Sequence, residues 1–515
     1  MGGFARRAAA AAAVLLLAAC SAAPKQAAGP DGTPARPSAA TSSPAASDGG
    51  GARVPASLTG QRLRWHGCAD TAGADGTWQC ATMKTPLDWR HPGGDTIGVA
   101  LIRRRSSGPA GRRIGSLVFN FGGPGGSGVS SLPAFAASYA KLAARYDLVS
   151  FDPRGAGASE GVRCRSDKET AAAESLDLTP DTAAERDAYF RDAAAVAAGC
   201  ERSAGRLLAH LSTEDTARDM ELMRQVLGDD TLHYFGISYG TELGGTYAHL
   251  FPRRVGRMVL DAVVDPAADS VGHAENQARG FQRALDDYLK SRGQDPKRGT
   301  ADIAALLDRL DATPLPTRSG RKLTESLAVT GITVSLYSEA TWPTLTRALA
   351  AARDGDGTAL LALADVYDER DSSGHYGTTS QAQRAISCRD DRQRPTPAQA
   401  RRQLAHFRDI SPVFGPFLGW DTAGWCHDWP VPGLHDTPQV SAPGAPPVLV
   451  VGNRGDPATP YEGAGRMAEA LGSGVLLTWD GEGHGAYGGG SACVDGDVNT
   501  YLLTGRAPKS GTECA

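Results

Sequence analysis

Short apolar runs that end at glycine, followed by stretches with three- and four-residue apolar spacing, recur along this chain. Residues 114–121 and 146–151 are strand-length runs rich in β-branched and aromatic side chains, the pattern of strands buried on both faces. Ser212-Thr213-Glu214-Asp215 reads as a capping box opening a helix that carries Ala217, Met220, Met223 and Leu227 on one face and stops at Gly228. Residues 232–235 then read as a strand, 241–251 as a helix stopped by Pro252, and 258–260 as a further strand. Near Asp265-Pro266 the alternation gives way to a long, mainly helical stretch rich in Ala, Leu and Arg, which runs to about residue 439. It resumes with a strand at 448–451, a helix at 461–471, a strand at 475–479 and a helix at 494–503. This order predicts an α/β fold: one mostly parallel sheet covered by helices on both faces, with a large helical cap inserted between strands. The insertion is expected over the carboxyl ends of the strands, where open α/β sheets place their ligand sites.

The first twenty residues break the pattern. Arg6 and Arg7 precede an apolar stretch too short to span a bilayer, and it ends at Leu17-Ala18-Ala19-Cys20. These are the three regions of an export signal, and the ending resembles a bacterial lipobox, which makes Cys20 the expected lipid attachment point. From 21 to 52, 27 of 32 residues are Ala, Gly, Pro, Ser or Thr, too poor in large apolar groups to offset the entropy of ordering. As a flexible tether this segment spans about 30 Å. The expected organisation is a signal peptide over 1–19, a lipid-anchored linker over 20–55, a first part of the core over 56–265, the cap over 266–440 and the rest of the core over 441–515. The protein is expected outside the cytoplasm, on the outer face of the cell membrane or released from it, touching the membrane through the lipid alone.

Composition narrows the partners. With 515 residues, 41% of them hydrophobic, the chain can bury a large core, and a formal charge of −4 argues against nucleic acid. No cofactor, metal or obligate protein partner is expected. Nine cysteines less Cys20 leave an even number, which in an exported chain reads as disulfides. They fall in four sequential pairs, 68 with 80, 164 with 200, 388 with 426 and 493 with 514, and nearest-neighbour bridging is the expected connectivity. Metal binding at His66 with Cys68, or at Cys426 with His427, is the rival; no CxxC or HExxH supports it.

Gly236-Ile237-Ser238-Tyr239-Gly240 fits GxSxG, a weak signal by itself in a chain with 63 glycines. Its place between a strand and a helix makes it the sharp turn that lifts a serine hydroxyl clear of a sheet. A serine hydroxyl needs a base, and the only histidine after Asp456 is His484, in Gly481-Glu482-Gly483-His484-Gly485. Asp456, in the loop after the strand at 448–451, is the candidate to orient that imidazole, with Asp480 and Glu482 as alternative carboxylates. A second strand-end loop, Gly122-Gly123-Pro124-Gly125-Gly126-Ser127-Gly128, lets main-chain N–H groups approach a substrate carbonyl. Gly123 and Tyr239 are the candidate oxyanion-hole donors. The same loop is a formal GxGxxG with Asp152 ending the next strand, the arrangement of a dinucleotide site, but Pro124 stands where an amide should face pyrophosphate.

Together, Gly122-Gly123-Pro124-Gly125, Phe151-Asp152-Pro153-Arg154-Gly155, the Ser238 turn, Asp456 and Gly483-His484 resemble the α/β-hydrolase peptidases of the prolyl aminopeptidase family. Within it the likeness is to secreted actinobacterial tripeptidyl aminopeptidases, including their TAP-like C-terminal part, over about residues 60–515. It implies an α/β-hydrolase fold and a serine exopeptidase that takes peptides with a free N-terminus. Phe121 departs from the family's HGGPG-type loop, standing where the histidine would be. Arg154 is expected to brace its loop. An aminopeptidase must also seat an ammonium, which calls for a carboxylate in the pocket; the candidates are Glu339, Asp390 and Glu242. Two alternatives stay open, a carboxylesterase using the same triad and a catalytically inactive peptide-binding lipoprotein.

Overall fold

A computed structural model describes residues 53–515 apart from 69, 70 and 72. The signal peptide, Cys20 and most of the tether therefore lie outside the described residues. The strands are β1 (His66–Gly67), β2 (Trp78–Pro86), β3 (Thr96–Arg104), β4 (Gly115–Asn120), β5 (Tyr146–Phe151), β6 (Leu232–Ile237), β7 (Val255–Asp261), β8 (Leu315–Pro316), β9 (Lys322–Leu323), β10 (Val448–Gly455), β11 (Gly474–Glu482) and β12 (Thr512–Cys514). Ten of them form one sheet in the order β1-β2-β3-β5-β4-β6-β7-β10-β11-β12. β1, β2 and β3 pair antiparallel and β3 joins β5 antiparallel; from β5 to β12 every pairing is parallel.

The central strands are apolar on both faces because both faces are covered. In β4, Val118 faces one apolar cluster while Leu117 and Phe119 face the other; in β10, Val448 and Val450 divide from Leu449 and Val451 in the same way. This is the two-residue period of a strand. Between β7 and β10 the helices Ser270–Ser291, Pro296–Ala312, Glu325–Leu336, Trp342–Arg353, Thr358–Tyr367, Pro397–Ile410 and Gly415–Gly424 build an apolar cluster of their own around Phe281, Leu285, Ile332, Leu345, Phe407 and Phe414, whereas the helix Thr379–Asp390 packs Ala385, Ile386 and Cys388 into the cluster on the Val118 face of the sheet. β8 and β9 form a small antiparallel hairpin within this stretch.

The helical layer also receives a contribution that the sequence pattern does not announce. The helix Ala183–Ala204 brings Tyr189 against Ala400, Leu404, Trp420 and Ala423, and Arg321 pairs with both Glu174 and Asp365. All eight cysteines in the described residues are bridged, Cys68–Cys80, Cys164–Cys200, Cys388–Cys426 and Cys493–Cys514, the nearest-neighbour pairing expected above. The sulfurs of Cys68 and Cys426 are thereby withdrawn from the metal readings. No helix among the described residues is long and apolar enough to cross a membrane.

Candidate active site

β6 ends at Ile237, and the helix Tyr239–Leu250 begins two residues later. Ser238 makes the turn between them with φ 58° and ψ −128°, a left-handed conformation that a side-chain-bearing residue adopts only where its surroundings enforce it. They do so through closeness. A Cβ on Gly236 would lie 2.2 Å from the Gly240 carbonyl oxygen, and one on Gly240 would lie 2.6 Å from that of Asn120. Both flanking positions must be glycine for the turn to close.

His484 and Asp456 come from loops that lock together. Asn453 Nδ2 donates to the Gly483 carbonyl at 2.5 Å, and a Cβ on Gly455 would lie 2.4 Å from the Gly481 oxygen. His484 Nδ1 lies 2.9 Å from Asp456 Oδ1 and 3.1 Å from Oδ2. The buried Asp456 carboxylate also accepts from the N–H groups of Ala458 and Thr459, from Thr459 Oγ1 and from Gly485 N–H, so acceptance fixes its orientation. Burial would lower the imidazole pKa; Asp456, joined by Asp261, outweighs it and raises the value above 6.5. The alternative carboxylates do not compete, since Asp480 is exposed and neither it nor Glu482 bonds the imidazole.

Ser238 and His484 open on the same cavity, yet no hydrogen bond joins Ser238 Oγ to the imidazole. The base–acid half of the relay is formed and the nucleophile–base half is open, as is common before substrate arrives.

Gly122 N–H is taken by Asn120 Oδ1 at 3.0 Å, whereas Gly123 is exposed and lines the cavity. Tyr239 is the first residue of its helix, so its N–H has no acceptor a turn earlier in that helix. Those are the properties required of the two expected donors. The glycine loop is pinned from the cap: Gln383 Nε2 donates to the Gly123 carbonyl at 3.2 Å, and a Cβ on Gly125 would lie 2.7 Å from that of Ala382. Asp152 is buried and already accepts from Ser127 Oγ, Val129 N–H and Ala158 N–H, which leaves it no freedom to bind a ribose.

The cavity has a volume of about 1000 Å³ and lies between the strand ends and the helical layer. Glu242 and Asp390 line it; Glu339 does not, which corrects that expectation. The turn Glu339–Thr341 leads into Trp342, which takes the buried position at its inner side and leaves Glu339 exposed. Asp390 accepts from Thr213 N–H at 2.9 Å and from Thr213 Oγ1 at 2.7 Å, and that hydroxyl lies 2.5 Å from Tyr239 Oη. The acid is thus linked through one threonine to the residue following Ser238. Burial pushes Asp390 up to about 8, with Asp391 and Asp215 adding to the rise, and raises Glu242 as well.

A family model described as "TAP-like protein" matches residues 411–514. A serine protease Hip1 of Mycobacterium tuberculosis is 37% identical over 496 residues, covering 90% of this chain and 93% of that protein. A tripeptidyl aminopeptidase of Streptomyces lividans is 32% identical over 472 residues, covering 88% and 86%. The chain belongs to the TAP-like α/β-hydrolase family. It is a serine hydrolase of the peptidase kind. The same family includes a carboxylesterase B of Mycobacterium tuberculosis, 36% identical over 493 residues and covering 91% and 92%. Among solved structures, an α/β hydrolase from a deep-sea metagenome library aligns at a TM-score of 0.35 and 12% identity over 80% of this chain and 96% of that one.

A TAP-like hydrolase must hold its base steady, and here the cap takes part through residues that motif reading passes over. The main-chain N–H of His484 donates to the Tyr337 carbonyl at 2.8 Å, and the two rings meet edge to face at 5.2 Å. Arg283, on the helix Ser270–Ser291, donates to the Asp456 carbonyl at 3.0 Å. Asp391, next to Asp390, is a further cavity carboxylate, pushed up to about 6 by burial. Nothing in local sequence marks Tyr337 or Arg283, because each is selected by a partner more than a hundred residues away.

Proposed function

We propose that this hydrolase is an extracytoplasmic serine aminopeptidase that releases short peptides, tripeptides among them, from free N-termini. Ser238 Oγ attacks the scissile carbonyl while His484 Nε2 takes its proton, and Asp456 holds the imidazole and supports its positive charge. The N–H groups of Gly123 and Tyr239 receive the developing oxyanion. His484 then protonates the leaving amine, and water attacks the acyl-enzyme by the reverse sequence.

One observation carries the exopeptidase reading. Glu242 and Asp390 line the cavity that holds Ser238, and among the described residues neither is in an ion pair, whereas Asp391 beside them has the Arg394 guanidinium opposite it. Buried carboxylates without a cation are a seat for one, and a peptide's terminal ammonium supplies it. The tripeptidyl aminopeptidase relative supports the length of the released fragment. Four disulfides support an oxidising compartment, and Cys20 acylation with a tether over 20–55 supplies the anchor in this reading.

The test is a mass-spectrometric readout of what the purified enzyme cuts from paired peptides that differ only in N-terminal acetylation. Fragments from the unblocked member alone are expected; equal cutting of both members sinks the aminopeptidase reading. The carboxylesterase relative favours a second reading, that esters are the substrates. Turnover of a simple ester together with inertness toward every unblocked peptide would establish it.

A further inference from the structure

Between the strand that presents Ser238 and the strand that leads to Asp456 runs β7, with Ile237, Asp261 and Val451 in register across the three. β7 ends on Asp261, whose side chain is 2% exposed and enters none of the steps above. Its main-chain carbonyl accepts from Ser238 N–H at 3.1 Å. Its carboxylate accepts from Ala486 N–H at 3.0 Å and Tyr487 N–H at 2.9 Å, the donors that follow His484-Gly485. One residue therefore grips the nucleophile's turn with its backbone and the base's loop with its side chain.

We infer that Asp261 is a positioning residue for the hydrolytic reaction, fixing the His484 loop relative to Ser238 and adding a second negative charge behind the imidazolium that forms in acyl transfer. The loop needs such a hold. Gly483 and Gly485 both have positive φ, 101° and 93°, so His484 sits between two residues of high backbone freedom. Asp456 steadies the ring through Nδ1 and the loop through Gly485 N–H; the next two main-chain N–H groups, of Ala486 and Tyr487, are held by Asp261, and Asp495 takes that of Gly488. A neutral amide could not reproduce it, because its NH2 would point at a main-chain donor.

The charged and titratable groups facing Asp261 are Asp456 and His484 on the neighbouring loops, Tyr139 beneath, and Tyr487 on the loop it holds. Burial pushes the carboxyl up to about 6, opposed by the bonds from Tyr487 and Ala486 and by His484, and reinforced by Asp456. The two main-chain N–H groups and an imidazolium at His484 all favour its ionised form.

Asp261→Asn and Asp261→Glu in the full chain separate position from charge. For Asp261→Asn, kcat is expected to fall about tenfold to a hundredfold at unchanged KM, the scale of a misplaced catalytic group, and the acid limb of kcat/KM to move to lower pH. Asp261→Glu keeps the charge and shifts the carboxylate by a methylene, so kcat falls while the limb stays. A folded Asp261→Asn with unaltered kcat and limb overturns the proposal. Should that variant not fold, an Asp261→Glu enzyme with full kcat overturns it alone. The inference rests on Ser238 as nucleophile, which Ser238→Ala checks separately: activity surviving that change defeats the triad reading whatever Asp261 does.

Discussion

Arg154 forks onto Asp219 in a site closed to solvent, its Nε and Nη2 each 2.7 Å from one carboxylate oxygen. The guanidinium also donates to the carbonyls of Pro86, Leu87 and His210, while Asp219 accepts from Thr85 Oγ1 and Trp89 Nε1. Every donor of this pair is used, and the pair joins the loop after β5 to the helix Thr213–Leu227 and the end of β2. Removing one partner leaves the other charge buried without compensation. Arg154→Met is expected to cost about 3–5 kcal/mol, read from urea unfolding at constant m. Arg154→Met with Asp219→Leu should recover part of the loss. A single variant as stable as the parent would show that the pair does not hold this junction.

Asp456 offers a sharper test of the relay. Its oxygens face donors only, from Ala458, Thr459, Gly485 and His484. In Asp456→Asn the NH2 group meets N–H groups or the imidazole, and His484 is driven toward the tautomer with no proton on Nδ1. The expected loss in kcat is about 10⁴-fold, with KM held and the fold intact by circular dichroism. A loss of only a few-fold would mean that another carboxylate orients the base.

What the sequence discloses depends on how local the cause is. β5 is legible to the residue, and β4 to within one, because strands covered on both faces are unbroken apolar runs. β2 and β3 are not singled out: in β2 Trp78, Ala81 and Met83 point inward, but Gln79, Cys80, Thr82 and Lys84 break any continuous run. The alanine-rich helix Ala183–Ala204 has no strong apolar stripe to mark its packing on the cap. Ser238 and Gly123 stand in glycine loops whose spacing is a backbone requirement, so both can be singled out from the chain. Asp261 stands one residue past the strand read at 258–260, and only tertiary structure shows that its carboxylate meets Ala486 and Tyr487.

The Cys388–Cys426 bridge ties the helix Thr379–Asp390, which carries Asp390 and pins the glycine loop, to the chain just after the helix Gly415–Gly424. It closes a separation of 38 residues, for which the chain-entropy relation gives about 4 kcal/mol. Replacing both cysteines by serine should lower unfolding stability by that order. It should also raise KM for unblocked peptides, because the ammonium seat and the Gly123 loop lose a common support. An unchanged KM in a folded double variant would mean the helix is placed by packing alone.

The pH profile follows from three groups with different signs. His484 must be neutral to accept the serine proton; although burial opposes it, Asp456 and Asp261 raise its pKa above 6.5, so kcat/KM should fall about tenfold per unit below that value. Asp390, pushed up to about 8 by burial, is protonated in the empty cavity at neutral pH and ionises when an ammonium arrives, so binding there releases a proton. The substrate's own α-amino group loses its charge near about 7.7 to 8.0. An unblocked peptide should therefore give a narrow bell with its top near pH 8, and a small ester without an amine should rise through the His484 limb to a plateau. Asp390→Asn should raise KM for the peptide and leave the ester untouched. If the ester declines above pH 8 as the peptide does, the alkaline limb belongs to the enzyme, and the carboxylates around Asp390 are not reading the substrate's ammonium.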